Sequence, residues 1–308
     1  MAVPPIWKDR LRIPVISAPM FLISGPDLVV EACNGGVVGS FPALNQRTSE
    51  GYRAWLDEIA GRLAPEAAPF GVNLVVHRSN PRLETDLAIT IDKKVPLVIT
   101  SLGLNRDLIS AVQAYGGRVF HDVTNLKFAA KAAEAGVDGL IAVTYGAGGH
   151  AGLISPFAAL HEIRRIFDGT LVLGGAISTG RQVAAARLMG ADMVYMGTRF
   201  MATAESMAVE RQRQMLLDAK AADIVYTPAV SGIPGNFLRA SLAACGRDPD
   251  DLTPPDKLDF GTTDPKAWRD LWAAGQGVGA IDDLPRVATL IDRLDGEYRT
   301  AAGLLASH

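Results

Sequence analysis

Eight short runs rich in Val and Ile recur along the first two thirds of the chain, each ending in small or polar residues. In order they are VISAPM (from Val15), GVVGSF (Gly36), FGVNLVV (Phe70), VPLVITSLG (Val95), RVFHDV (Arg118), GLIAVTYG (Gly139), TLVLGGAI (Thr170) and MVYMGTRF (Met193). Most are apolar at successive positions, the pattern of strands buried on both faces. Amphipathic segments separate them. In NLKFAAKAAEAG, Leu126, Ala129, Ala130 and Ala133 fall at helical spacing, Lys127, Lys131 and Glu134 face away, and Gly136 closes the helix. Eight strand–helix units in about 200 residues predict an α/β fold, a closed (β/α)8 TIM barrel. A doubly wound open sheet is the structural rival, and the count of eight without a GxGxxG after the first strand favours the barrel.

Beyond Phe200 the pattern changes. DIVYTPAVSGIPGNFL and CGRDPDDLTPPDKLDFGTTDP are rich in Pro, Gly and Asp and read as long loop, while Lys266 to Ala274 and Asp282 to Ala302 read as helices. The expected organisation is a barrel domain over residues 1–222, with the last barrel helix beyond residue 205. A C-terminal lid and helical extension follows over residues 223–308. Residues 223–265 would either close over the barrel mouth or form a homodimer contact.

Composition narrows the partners. A net charge of -3 with no dense Lys/Arg run argues against a nucleic-acid binder and for a small-molecule substrate. Two cysteines in unlike contexts, Cys33 and Cys245, make a disulfide framework or a Cys-based zinc site improbable. The five histidines lack metal-ligand spacing. No apolar run reaches membrane-span length and the N-terminus lacks a secretory pattern, so a cytoplasmic protein off the membrane is expected.

In a parallel barrel the reactive groups come from the C-terminal ends of the strands. Those ends carry Ala18-Pro19-Met20, Asn73, Ser101, His121-Asp122, His150, Gly174-Gly175 and Gly197-Thr198. LGGAIS offers unobstructed N–H groups at Gly174, Gly175 and Ala176 with the Ser178 hydroxyl beyond; MGTRF offers Gly197 and Thr198. Together these two loops suit a phosphate dianion. The sixth strand end, TYGAGGHAG, has the composition of a nucleotide loop, but the better phosphate loops lie downstream. Its glycines are read as clearing space around His150, a candidate base or hydrogen-bonding group. His77, His161 and His308 are read as surface or satisfied residues.

These pieces occur in order in the flavin-dependent nitronate monooxygenases, formerly called 2-nitropropane dioxygenases, which the chain resembles from about Pro14 to Ile281. The matching stretches are APM (18–20), GVNL (71–74), AGGHAG (147–152), GGAIS (174–178), GADMVYMGTRF (190–200) and AGQGVGAI (274–281). The resemblance implies FMN on a TIM barrel, with Ala18, Pro19 and Met20 lining the isoalloxazine and Asn73 hydrogen-bonded to the ring. Gly175, Gly197 and Thr198 would hold the phosphate, and His150 would face flavin and substrate. Ser101, Asp122, Gly149, Gly174 and Ala176 complete the expected cofactor site.

The implied reaction is oxidation of an alkyl nitronate, or a nitroalkane, by O2 to a carbonyl compound and nitrite. Two departures stand out. Asp122 follows His121 where family members often carry a basic or amide residue, and beyond Tyr226 only Tyr298 remains of the tyrosines. The rival readings are an NAD(P)H-dependent FMN reductase of an enoyl thioester or quinone on the same scaffold, and a non-flavin sugar-phosphate binder.

Overall fold

The computed structural model describes residues 3–230, 232–253 and 270–306. Eight strands pair in parallel into a closed barrel: β1 (Val15–Ser17), β2 (Val38–Pro42), β3 (Gly71–Val75), β4 (Leu97–Ser101), β5 (Arg118–Val123), β6 (Gly139–Val143), β8 (Thr170–Gly174) and β9 (Met193–Met196). β9 closes on β1 through Val15↔Val194, Ile16↔Tyr195 and Ser17↔Met196. The eight sequence runs are thus the eight barrel strands.

Side chains alternate across the wall, as in any strand. Ile16, Val38, Leu97, Phe120, Ile141 and Val172 fill the interior, and the Trp7 ring packs 5.6 Å from that of Phe120. Val15, Val72, Val98, Val119, Leu171 and Val194 form the second layer, between strands and helices. The helices α1 (Pro26–Asn34), α2 (Ser49–Arg62), α3 (Leu83–Asp92), α4 (Arg106–Ala114), α5 (Leu126–Glu134), α6 (Pro156–Arg164) and α7 (Gly180–Leu188) follow in turn. In α5 the buried face is Ala129 and Ala132, not a stripe through Leu126: Leu126 opens the first turn beside the Asn125 cap and stays exposed. Gly136 ends that segment at φ +85°, as a helix-terminating glycine does.

The helix that completes the outer ring is the C-terminal one, Val287–Ala306, which packs against α7 and α1. Its start lies five residues after the expected Asp282, because Pro285 disfavours helical backbone at Leu284. Asp283 instead pairs with Arg199 and Arg293. The stretch expected to be long loop contains a hairpin, β10 (Ile224–Thr227) against β11 (Gly235–Leu238). β11 in turn pairs with β7 (Gly149–His150), a two-residue strand inside the glycine-rich loop. Residues 266–269 of the expected helix lie outside the described residues, and Ala273 bridges Phe237 in extended backbone rather than helix.

Two glycines let the C-terminal segment meet the barrel. A methyl group on Gly275 would stand 2.6 Å from the Gly146 carbonyl oxygen and 2.8 Å from the Gly148 nitrogen; one on Gly148 would meet the Gly275 nitrogen at 2.8 Å. Gln276 N–H donates to the Gly146 carbonyl at 2.8 Å and fixes the register. Gly275→Ala should therefore destabilise the protein by about 1–3 kcal/mol. It should also speed proteolysis around residues 274–276, checked by denaturant unfolding and limited digestion; wild-type behaviour in both would contradict the close packing.

His121 shares its parity with Val119 and Val123, so it faces the helices and not the mouth, correcting its expected place among the convergent strand ends. It is 6% exposed and hydrogen-bonded to Thr100 Oγ1, and burial lowers its pKa from 6.5 to about 4. The folded protein holds it neutral while the unfolded chain takes up a proton below 6.5, so its stability contribution is intact above 6.5 and lost as pH falls toward 4. That shift corresponds to about 3 kcal/mol. Unfolding free energies of wild type and His121→Gln should diverge by this amount in pH sensitivity between those limits; parallel pH profiles would sink the assignment.

Candidate functional site

The inward-facing residues at the tops of β3, β4 and β5 form a hydrogen-bonded chain across three adjacent strands. Asn73 Nδ2 donates to the Ile99 carbonyl at 3.2 Å and to Ser101 Oγ at 2.6 Å, and Ser101 Oγ donates to Asp122 Oδ2 at 2.8 Å. Asp122 has the parity of Phe120, so it looks into the barrel. Its Oδ1 is sealed from solvent and has no hydrogen-bond partner. Burial raises the Asp122 pKa to about 7, with the Ser101 hydrogen bond pulling the other way. The acid that looked out of place in the sequence is thus paired on one oxygen, and burial favours its protonated form.

Tyr195 on β9 completes this layer. It packs on the interior cluster, its ring lies against Gly174, where a methyl group would be 3.4 Å from Cδ1, and its phenol is raised well above the usual value by burial and then by the Asp122 carboxylate. Sequence reasoning passed over Tyr195 because it sits inside the run MVYMGTRF. The available signal was parity: Tyr195 is two residues from Met193 and from Gly197.

After β1, Ala18 is buried and Pro19 and Met20 are half-buried at the mouth. Their loop is clamped by two residues the sequence reading did not single out. Ser24 Oγ donates to the Ala18 carbonyl at 3.3 Å and accepts from Met20 N–H at 3.0 Å. Asn45 Nδ2 donates to the carbonyls of Met20 and Ser24, at 3.1 and 2.8 Å, while its Oδ1 accepts from Leu22 N–H at 2.9 Å. Leu22 is held at φ 59° and Leu102, after β4, at φ 66°, conformations that cost a branched residue of order 1–3 kcal/mol each. Both leucines are exposed, as are Phe21, Tyr145 and Leu153, so the loops after β1, β4 and β6 carry large apolar side chains.

The loop after β8 has Gly175 at φ 145° and Ala176 at φ 54°. A methyl group on Gly175 would run into Thr144 Oγ1. Among the described residues no hydrogen bond engages the N–H groups of Gly175, Ala176 or Gly197. Ser178, by contrast, is used internally: its Oγ donates to the Gly277 carbonyl at 2.9 Å, so it is not the phosphate ligand expected of it. The start of α7 is likewise occupied. Gln182 Oε1 accepts from Ser178 and Thr179 N–H, Thr179 Oγ1 accepts from Gln182 N–H, and Glu297 Oε2 accepts from Gly180 N–H at 2.7 Å. Thr198 Oγ1 accepts from Gly275 N–H at 2.9 Å, which leaves its hydroxyl hydrogen to donate.

His150 sits in β7, its backbone paired with Gly235. The glycine-rich loop makes room for protein backbone first: Gly148 meets Gly275, and a methyl group on Gly235 would be 2.8 Å from the Gly149 carbonyl oxygen. Gly146 and Gly149 adopt φ of +86° and +70°, and the Cβ position of Gly149 is open. Asn236 Nδ2 and Tyr226 Oη donate to the carbonyls of Ala147 and Ala151, at 2.7 and 3.1 Å, and lock the loop from the hairpin side. His150 is half-buried, and desolvation lowers its pKa, so it is neutral above 6.5. Among the described residues no cluster of three or more His, Cys, Asp or Glu could hold a metal ion, and no helix is long and apolar enough to cross a membrane.

Residues 5–245 match the family description "Nitronate monooxygenase". A nitronate monooxygenase of Paraburkholderia phytofirmans is 28% identical, the match covering 77% of this chain and 76% of that protein. A hydroxy-methyl-oxo-octahydroindene-carboxyl-CoA dehydrogenase of Rhodococcus jostii is 29% identical over 74% of this chain, which spans 63% of that longer protein. Among solved structures, a nitroalkane oxidase from Streptomyces ansochromogenes superposes with a TM-score of 0.80 at 25% identity, covering 96% of this chain and 99% of that one. With a closed parallel barrel, a converging polar layer and a match over most of its length, the chain belongs to the nitronate monooxygenase family of oxidoreductases.

Proposed function

We propose that the barrel mouth binds FMN and oxidises alkyl nitronates with O2 to a carbonyl compound and nitrite. The observation that carries the cofactor reading is the set of unengaged N–H groups at Gly175, Ala176 and Gly197, at the ends of β8 and β9. That is where a barrel holds a phosphate, and backbone N–H groups stabilise a dianion without a positive side chain. With the start of α7 already capped, these three groups and the Thr198 hydroxyl hydrogen are the donors that would hold the FMN phosphate. Ala18, Pro19 and Met20, fixed by Ser24 and Asn45, would border the ring system, and the Asn73–Ser101–Asp122 chain would face its polar edge. Gly174 and Gly149 leave room beside it. FMN when bound supplies the electron chemistry.

The chain's own task is to place the substrate and manage its proton. A nitronate arrives deprotonated and needs only a hydrogen bond from the site, whereas a neutral nitroalkane must lose its α-proton. His150, neutral through desolvation, can accept that proton. The exposed apolar side chains of Phe21, Leu22, Leu102, Tyr145 and Leu153 suit an alkyl substituent better than a second charge. Reduction of an enoyl thioester or quinone at the expense of NAD(P)H is the competing reading; the likeness to a carboxyl-CoA dehydrogenase bears on it only through the CoA thioester in that relative's name.

Anaerobic bleaching separates the two: nitronate should bleach the bound flavin and NAD(P)H should not, and fast bleaching by NAD(P)H alone would defeat the monooxygenase reading. A colourless protein that releases no FMN on heating and takes up none would defeat the cofactor reading. His150→Ala should retain FMN and lose about 10²- to 10⁴-fold in turnover of a neutral nitroalkane, with a smaller loss on the nitronate. Loss of flavin instead would show a structural role. For the nitroalkane the acid limb of kcat/KM should lie below pH 6.5, since the neutral imidazole is the active form and its pKa is depressed. Gly175→Ala should weaken FMN binding by roughly tenfold or more, from strain at φ 145° beside Thr144; unchanged FMN affinity would remove Gly175 from the cradle.

A further inference from the structure

The polar residues on the barrel floor have spent their hydrogens on one another. Both Nδ2 hydrogens of Asn73 are used, one on the Ile99 carbonyl and one on Ser101 Oγ, and the Ser101 hydrogen goes to Asp122 Oδ2. A carbonyl can only accept, so Ile99 fixes which way the Asn73 amide points. Asn73 therefore offers the mouth an acceptor, Oδ1, and Ser101 has no free hydrogen. Asp122 Oδ1 is sealed and offers a ligand nothing.

Tyr195 is the exception. It packs on the interior cluster with its ring beside Gly174. It is half-buried, its hydroxyl has no hydrogen-bond partner among the described residues, and its Oη is not one of the sealed polar atoms. Phe120, Ile141, Val172 and Met193, each two residues below a mouth-layer position, are fully buried. The surface that Tyr195 exposes thus opens upward to the mouth. Burial raises its phenol well above the usual value, so the hydrogen stays on Oη through the neutral range. Tyr195 also sits where the candidate cofactor contacts meet. Gly197 lies two residues further along β9, and Ala18 to Met20 follow β1, which pairs with β9 through Ile16↔Tyr195. A methyl group on Gly197 would be 3.6 Å from Met20 Sδ and 3.8 Å from Ala18 Cβ, so the two loops abut. His150, on β7, belongs to the loops and not to this floor.

We propose that Tyr195 is a cofactor-contacting residue: its phenol donates a hydrogen bond from the barrel floor to a carbonyl oxygen of the flavin ring and thereby favours the reduced ring. The inference rests on the FMN reading and names the residue through which the barrel wall tunes that cofactor. Asn73 Oδ1, an acceptor, can serve only an N–H of the ring, so the ring oxygens fall to Tyr195. Reduction makes those oxygens richer in electrons, and a donor holds an electron-rich oxygen more strongly than a neutral one. The phenol keeps its proton in both states and transfers nothing.

Tyr195→Phe removes only the hydroxyl. Oη has no partner in the protein and the ring beside Gly174 is retained, so the variant should fold and load FMN. Its reduction potential, from anaerobic titration against a reference dye, and the infrared carbonyl bands of its oxidised flavin are compared with those of wild type. Relative to oxidised FMN, the variant should hold reduced FMN about tenfold less tightly, a potential about 30 mV lower for the two-electron couple. One flavin carbonyl band should move to higher wavenumber as its hydrogen bond is lost.

An unmoved band, or a potential that stays or rises, would overturn the proposal. Equal weakening of oxidised and reduced FMN with unmoved bands would put the phenol on the ribityl chain, and a raised KM at unchanged potential would put it on the substrate; both overturn it too. Protein that takes up no FMN defeats the cofactor reading and this inference together. Protein that holds FMN, with a variant indistinguishable from wild type, defeats this inference alone.

Discussion

The two-residue alternation of a closed parallel barrel determines the chemistry of every strand-end side chain, because the wall is one strand thick and both of its faces are dry below the mouth. His121 and Asp122 are neighbours in sequence and end in different solvents. One is buried against Thr100 under the helices, which lowers its pKa to about 4; the other turns to the barrel axis, where burial raises its pKa to about 7. Shifting β5 by one residue would exchange them, and no local rearrangement could compensate. The register pairs Phe120↔Gly139 and Asp122↔Ile141, and the Phe120 ring would collide with any larger residue at 139, where a methyl group would stand 2.5 Å from Cδ1. The bulk of Phe120 and the absence of a side chain at Gly139 thereby help set the direction in which the acid faces.

The same economy appears in the loops above the wall. A glycine-rich sequence can serve a ligand or serve a neighbouring backbone, and TYGAGGHAG does chiefly the second. Gly146 and Gly148 admit the segment around Gly275, and Gly235 lets β11 approach the Gly149 carbonyl, while Asn236 and Tyr226 secure the arrangement by hydrogen bonds. His150 is therefore carried on a platform braced by residues from a distant part of the chain, Tyr226, Asn236 and Gly275. Its position depends on the C-terminal half having docked, so a change at Gly275 would reach the imidazole through backbone contacts rather than through the ligand.

Much of this was legible in the sequence because barrel strands and helix-breaking glycines leave strong local signatures. The eight runs, the barrel itself and the convergence of Asn73, Ser101 and Asp122 follow from apolar runs and their ends. What escaped was set by contacts between distant segments. The hairpin Ile224–Thr227 with Gly235–Leu238 reads as loop because Pro and Gly crowd it, and it becomes a strand pair only where Gly149–His150 offers an edge. Ser178 looked like a phosphate ligand from its place in LGGAIS, yet its hydroxyl is claimed by Gly277, ninety-nine residues on. Glu297 caps α7 from the C-terminal helix in the same way. No local window contains either partner.

The mouth that results is unusual in its charge. Its two titratable groups of functional interest are an acid raised by burial and a base lowered by it, so both tend toward their uncharged forms near neutrality. The backbone N–H groups at Gly175, Ala176 and Gly197 supply electropositive character at the ends of β8 and β9. Such a mouth discriminates by hydrogen-bond polarity rather than by attraction of opposite charges.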